Sequence, residues 1–361
     1  MNILFCNSVK EGVLGGGEKW MLRAARGLTE AGHRTYIGTS SETSQLFKAA
    51  NKEKIPAASF GIRGDFSPAA TFRIYRFLRK NQIDILVCGF NKDLRTAAPA
   101  ARIYGKTKVI ARHGVLLCPE KPRYRITLKL LADSILTNTN SIKKAYLDYG
   151  WFNDDFIKVI YNPLPEIPEV QAFDFRSIFG ERPVIFSAGR LTGQKGYIYL
   201  IKAAVILRKK FGIDAAFAVA GRGNQEDFLK QKIRESELEK DFLLLGHRED
   251  IYSLMKGCYA FVLPSRHEGM PNALMEAMAT GKPCAASNVN GVPELIKDGE
   301  TGIIFEPGSA GQAAAAIKEL ISNPDRSAAI GKAAAADVKT RFAFSKKIKE
   351  LENFFTEVLN L

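Results

Sequence analysis

Glu268 and Glu276 stand in the segment LPSRHEGMPNALMEAMATGKPCAAS with seven residues between them. An apolar run ends near Leu263, and the chain turns at Glu268 and Gly269. A helix is then expected to open near Pro271, a residue pre-organised for a first helical position, and to stop at Gly281. The start of a helix offers N–H groups and the positive end of a dipole to an anion. Glu268 falls in the turn, and Glu276 lies about two turns into the helix. A carboxylate beside such an anion site suits a ligand that carries both hydroxyls and phosphate. The hydroxyls donate to the carboxylate and the phosphate takes the N–H groups. An ordinary strand–turn–helix with two surface glutamates is the plain alternative.

Three further loops follow apolar runs. In SAGRLTGQKG, Arg190 and Lys195 are five residues apart among Gly189, Gly193 and Gly196. Two such cations can converge on one diphosphate; by itself the pair reads as two exposed loop residues. In GVLGGGEKW, Gly16 and Gly17 let a backbone approach a ligand closely. The spacing is not that of a dinucleotide loop, and no acidic residue ends the second strand. Glu18 fits a ligand site or, equally, a first-turn acid favoured by the helix dipole. In KVIARHG, His113 is the last residue before Gly114, with Arg112 beside it as a candidate for an anionic acceptor. A lone histidine is as readily structural as functional. Asn138 in TNTNS, Arg222 between two glycines and Arg248 after Gly246–His247 are further strand-end candidates. No D-x-D metal motif is present; Asp154–Asp155 are adjacent and poorly placed.

The elements that must carry these residues read as two β-α-β series. The first has strands at MNILFCNS, HRTYIGTS, IDILVCGF, KVIARHG and ADSILTNT, and a helix at EKWMLRAARGLTEAG. A proline-rich stretch, KVIYNPLPEIPEV, rules out continuous helix or central strand and is read as the linker. A second series follows: RPVIFSAGRL, AAFAVAGRG, FLLLGHRE, YAFVLPSR, KPCAAS and GIIFEP. Alternation of this kind indicates parallel sheets with helices on both faces, and ligands in such sheets bind beyond the C-terminal strand ends. The last segment, FSKKIKELENFFTEVLNL, is an amphipathic helix.

Two words of the sequence are more specific. The Glu268–Glu276 spacing resembles the E-x7-E motif of the large family four retaining glycosyltransferases with the GT-B fold (glycosyl transferases group 1). EGMPNALMEAMATGKP and GVPELIKDGETGIIFEPG are similar to that family on either side. The resemblance implies that Glu268 contacts the transferred sugar and Glu276 the ribose hydroxyls. The backbone around Gly269, Met270, Pro271, Asn272 and Leu274 would meet the sugar and diphosphate. The second motif resembles the family's G-R-x-x-x-x-K-G phosphate clamp, which makes Arg190 and Lys195 charge-stabilising residues for the leaving diphosphate. Gly16 and Gly17 match a glycine loop reaching donor phosphate, with Glu18, Arg112 and Asn138 toward the acceptor. His113 would lie near the transferred sugar, and Arg222 and Arg248 near the base and ribose.

What the resemblance implies for the whole chain is two Rossmann-like doubly wound α/β domains facing across a cleft. Residues 1–165 would bind the acceptor and residues 166–342 the nucleotide-sugar. The helix 343–361 would pack back on the first domain. The implied reaction moves a sugar from a nucleotide-diphosphate donor, a UDP-sugar by family frequency, with retained anomeric configuration and with no metal or other cofactor. The implied acceptor is a cell-envelope glycan or glycolipid such as a lipopolysaccharide core. The rivals are another GT-B enzyme, a sugar-nucleotide epimerase or phosphorylase, and a non-enzymatic binder of anionic lipid or nucleic acid.

Composition is consistent with that scale. The chain has 361 residues, 46% hydrophobic and 25% charged, enough for two self-sufficient cores. Its five cysteines are widely spaced and form no C-x-x-C pair, which argues against a zinc or redox motif and fits a reducing cytoplasm. Neither a signal peptide nor a membrane-spanning run is expected. Net charge is +14, and 26 Lys and Arg against 13 Asp and Glu place nearly all of it in residues 1–160. A basic first half suits an anionic partner and peripheral contact with an acidic membrane, at the inner face of the cytoplasmic membrane. The segment PEKPRYRITLKLL, with Lys121, Arg123, Arg125 and Lys129 among apolar residues, reads either as an interfacial helix or as one with a single buried face. No nucleic-acid-binding module is recognised, and no nucleic acid is expected as a partner.

Overall fold

The computed structural model describes residues 1–8 and 14–361. The first three residues of the glycine loop EGVLGGG, Glu11, Gly12 and Val13, lie outside them. The chain forms two compact units, one made of Met1–Pro163 with Phe344–Leu361 and the other of Leu164–Ala343.

The first unit is built on seven parallel strands: β1 (Asn2–Asn7), β2 (Arg34–Thr39), β3 (Ala57–Ser59), β4 (Ile85–Cys88), β5 (Lys108–His113), β6 (Ser134–Thr137) and β7 (Ile157–Val159). They lie in the order β3-β2-β1-β4-β5-β6-β7. The central strands β1, β4 and β6 are apolar runs buried on both faces, as a sheet covered by helices on each side requires. One face packs against helices Pro68–Asn81, Asn91–Tyr104, Pro122–Leu131 and Asn140–Asp148. The other packs against Gly16–Glu30, Gln45–Lys52 and the last helix, Phe344–Leu359. That last helix buries Ile348, Leu351, Phe354, Phe355 and Val358, spaced three, three, one and three residues apart as one helical stripe. Gly27 lets it approach, since a Cβ there would stand 2.6 Å from the Ile348 side chain.

The second unit has six parallel strands: β8 (Val184–Ala188), β9 (Ala216–Ala220), β10 (Phe242–Gly246), β11 (Ala260–Leu263), β12 (Cys284–Ser287) and β13 (Ile303–Phe305). Their order is β10-β9-β8-β11-β12-β13. Both sheets therefore reverse direction next to their first strand, between β1 and β4 and between β8 and β11. In doubly wound sheets that reversal opens a crevice at the C-terminal strand ends, where ligands bind.

Eleven strands fall on the apolar runs named above. The two that do not, β3 and β7, are three-residue strands at the edges of the first sheet. β7 lies in the stretch read as linker, and it ends before the first proline, as an edge strand can. Pro271 sits one position earlier than expected. It keeps an extended ψ of 95°, so the helix runs Asn272–Ala279 with Pro271 as its N-cap residue. All five cysteines are buried and unpaired. Among the described residues no helix is long and apolar enough to cross a membrane.

Candidate active site

The crevice of the second unit is made by the loops after β8 and β11. Lys195 comes from the first loop and Glu268 from the second, 73 residues later, and their Nζ and Oε1 atoms are 2.6 Å apart. Ser265 donates to the same Oε1 at 2.7 Å. Both bonds fall on one carboxylate oxygen, so Oε2 is the oxygen left to receive a ligand hydroxyl. Glu268 is almost fully buried and Lys195 is 16% exposed on its side chain, so the pair attracts more strongly than it would in water.

The sequence locks these loops together. Gln194 Nε2 donates to the His267 carbonyl at 2.8 Å, and the Arg266 N–H donates to the Gln194 carbonyl at 2.7 Å. Gly196 has φ +66°, and a Cβ on it would stand 2.0 Å from the Pro264 carbonyl oxygen. Ser287, at the end of β12, donates through its hydroxyl to the Ser265 carbonyl. Behind the first loop, Gly221 and Gly223 press against the backbone of Gly189 and Leu191, where a side chain would not fit. Arg190 is exposed on the same loop. Gly269, Met270 and Pro271 are buried between Glu268 and the helix start, whose dipole presents its positive end there. Leu274 is buried in that helix, and Asn272 and Glu276 are half-buried on it.

Arg222 and Arg248 do not join this group through any contact among the described residues. Arg222 is exposed; its backbone carbonyl accepts from the Leu191 N–H at 2.9 Å, and its charge acts on Glu226. Arg248 holds Asp250 by two bonds, at 2.7 and 2.6 Å, and lies over the Phe173 ring.

In the first unit the strand ends gather a buried polar cluster. The Arg112 guanidinium lies 4.3 Å above the Trp20 ring and donates to Asn162 Oδ1 at 3.3 Å. Asn138 donates to the same oxygen at 3.4 Å. Gly17 and Gly114 flank the guanidinium, which would crowd a Cβ at Gly114 to 2.5 Å. Burial draws Arg112 down to about 10, against the pull of the Glu18 carboxylate. Glu18 accepts from Asn7 Nδ2 at 3.2 Å and folds back toward Gly15; Gly16 is exposed at the helix start. His113 is 1% exposed and shares a 2.8 Å hydrogen bond with the Tyr146 hydroxyl. Burial, with Arg112 adding repulsion, lowers its imidazole to about 3, so the ring is neutral at ordinary pH.

Asp93 is a member the sequence did not single out. It accepts from the Ser8 and Phe90 N–H groups, each at 3.0 Å, and so ties the end of β1 to the loop after β4. Burial raises it to about 7 against those bonds and Lys92. Its only signal is an acid three residues into a helix that follows a strand. Gln194, Asn162 and Tyr146 carried no signal either, because each acts through a partner distant in the chain, and Ser265 meets Glu268 only through the shape of the turn between them.

Two family models match in sequence. The one described as Glycosyltransferase Family 4 covers residues 14–165, and the one described as Glycosyl transferases group 1 covers residues 171–337. Together they span both units. The chain belongs to this glycosyltransferase family. Its relatives include the alpha-D-kanosaminyltransferase of Streptomyces kanamyceticus, 30% identical over 53% of this chain and 50% of the relative. Another is the UDP-Gal:alpha-D-GlcNAc-diphosphoundecaprenol alpha-1,3-galactosyltransferase of Escherichia coli, 40% identical over 34% of this chain and 32% of the relative. The matches thus span half or less of these two relatives' lengths. Among solved structures, Anabaena HepE in complex with UDP matches with a TM-score of 0.85 at 22% identity, over 99% of this chain and all of that one. This glycosyltransferase-family chain therefore has the GT-B fold.

Proposed function

We propose that the protein transfers a sugar from a nucleotide-diphosphate donor, a UDP-sugar, to a cell-envelope glycan or glycolipid such as a lipopolysaccharide core, with retention at the anomeric carbon. The observation that carries this reading is the Lys195–Glu268 contact at the β8/β11 reversal. There a cation and a carboxylate from two distant motifs meet beside a helix start, in the crevice where doubly wound sheets take ligands. Lys195 and Arg190 bind the diphosphate and stabilise the charge that builds on it as the sugar–oxygen bond breaks. Gly269, Met270, Pro271, Asn272 and Leu274 line the sugar and diphosphate, and Glu276 takes the ribose hydroxyls. Arg222 and Arg248 take positions by the base and ribose.

Glu268 orients the sugar and stabilises its developing positive charge; a carboxylate held by Lys195 and Ser265 is a weak nucleophile. The acceptor hydroxyl attacks the face the diphosphate leaves, and its proton passes to the leaving phosphate. Neutral His113 positions through hydrogen bonding, because a group at about 3 does not act as an acid near neutrality. Glu18, Arg112 and Asn138 hold the acceptor in the first unit. No metal is required in this scheme, since the donor's charge meets two cations and a helix dipole. An acceptor linked to lipid through diphosphate, which the Escherichia coli relative's name specifies for that protein, suits the basic first half and a cytoplasmic site of action at the inner face of the cytoplasmic membrane.

The test is a donor panel. UDP and UDP-sugars are expected to raise the melting temperature, and Arg190→Ala with Lys195→Ala to abolish that shift. Mass and NMR analysis of products is expected to give a new glycoside of retained configuration only when acceptor is supplied. Conversion of the donor alone would make the protein an epimerase instead, and an unchanged shift in the double variant would remove the diphosphate site.

A further inference from the structure

Fifteen of the Lys and Arg residues lie between positions 60 and 132, against four Asp and Glu, so this stretch alone carries +11 of the chain's +14. Its last part is the helix Pro122–Leu131, and that helix is unlike the others that cover the sheet. Of its ten residues only Leu128 is fully buried. Ile126 is 57% and Leu130 67% exposed, four residues apart and therefore on one side of the helix. Val115 and Leu116, in the loop before it, are each 43% exposed. Lys121, at the N-cap of the helix, and Arg123, Arg125 and Lys129 on it are all exposed as well. The helix itself has no acid. Glu120 precedes it, and Asp133 beyond it is taken by Arg102 at 2.9 Å. Ile103 is also exposed, on the helix Asn91–Tyr104 that packs beside this one, with Arg102 and Lys106 near it in sequence.

We propose that the helix Pro122–Leu131 and the loop carrying Val115 and Leu116 form a docking face for an anionic lipid bilayer. Aliphatic side chains interspersed with Lys and Arg match an interfacial helix. The apolar groups enter the acyl boundary while the cations meet phosphate headgroups. A second copy of the chain fits poorly, because a two-fold contact would set two basic patches against each other. Nucleic acid would meet the cations but leave the aliphatic groups without a role, and the one aromatic on the helix, Tyr124, packs against the core with Arg123 over its ring. The position gives the face a purpose that rests on the proposed function. Leu116 is three residues from His113, hence within about 11 Å along the chain. A lipid-borne acceptor is thereby brought next to the Arg112–His113 strand end.

The experiment is cosedimentation of the full chain with vesicles of phosphatidylcholine alone or with phosphatidylglycerol, at low and high salt. Binding is expected only with phosphatidylglycerol, weakening with salt. Each cation removed should weaken it about fivefold, so K121A/R123A/R125A/K129A should lose more than a hundredfold, and I126S/L130S at least tenfold. Both variants should keep the UDP-induced melting shift and turnover of a lipid-free acceptor analogue. Absence of binding to phosphatidylglycerol vesicles, or equal binding by the variants, would overturn the proposal. So would a variant effect confined to self-association, or to binding a single-stranded oligonucleotide. A wild-type chain that binds vesicles but gives no UDP shift would instead count against the donor site and leave the docking face standing.

Discussion

At the scale of residues, the candidate site is a set of charges whose partners decide what they can do. Glu268 is fixed on one oxygen by Lys195 and Ser265. Replacing it with Gln keeps shape and removes the charge that meets the developing sugar cation. Glu268→Gln is expected to lower kcat by about 10² to 10³, the scale for one electrostatic group in such a site, while the UDP-induced melting shift persists. Steady-state kinetics alongside thermal shift checks both. In the first unit two buried groups titrate in opposite senses. Asp93 is raised to about 7, above the roughly 3.9 of an unfolded chain. Its contribution is full below the unfolded value and is lost as pH rises through 7. His113 is lowered to about 3, from about 6.5 unfolded. Its contribution is full above 6.5 and is lost as pH falls toward 3. Between about pH 4 and 6.5 the two slopes oppose, each about 1.4 kcal/mol per pH unit. Relative to wild type, Asp93→Asn should therefore gain stability as pH rises across this window, and His113→Gln should lose it. Denaturant titrations at several pH values decide, and parallel profiles for all three proteins would refute it. Glu268, Arg190 and Lys195 stood out in the sequence only through their resemblance to the family's motifs, since their types and spacing alone suit ordinary loops. Asp93 and Tyr146 were not, because what distinguishes them is burial against partners that only the folded strand order supplies.

Among elements, two loops at the β8/β11 reversal do the positioning, and glycines set their geometry. Gly196 is left-handed, and its hydrogen faces the Pro264 carbonyl where a methyl group would sit at 2.0 Å. Gly212, at the end of the helix that Gly196 begins, is also left-handed at φ +63° but faces open space. The pair separates backbone strain from loop contact. Gly212→Ala should cost only the left-handed penalty, about 1–2 kcal/mol, and keep the UDP shift. Gly196→Ala should add displacement of the Pro264–Glu268 loop, lower the melting temperature further and abolish the UDP shift. A UDP response equal in the two variants would show that the loops do not need this contact. The sheet strands themselves were readable where burial is continuous, since apolar runs of four to six residues between polar loops have few other uses. The edge strands β3 and β7 were not. With three residues and one side open, they show neither a continuous run nor an alternation long enough to count.

For the molecule as a whole, the decisive fact is that the chain leaves the first unit at Pro163 and returns at Phe344. The amphipathic pattern of the last helix announces an apolar face, but periodicity cannot say which sheet that face covers. In the structure it completes the same core as Ile3, Phe5, Trp20 and Leu28. The first unit's stability therefore depends on residues that arrive after the second unit is finished. Phe355 is fully buried in that core, and Phe355→Ala should cost about 3–5 kcal/mol. If the two units unfold separately, calorimetry will show two transitions. UDP in hundredfold excess over its Kd should stabilise only the one belonging to Leu164–Ala343, by about 2.7 kcal/mol, and Phe355→Ala should lower only the other. A variant that lowers the UDP-responsive transition by the same amount would mean that the halves melt as one, and that loss of the last helix reaches the donor site directly.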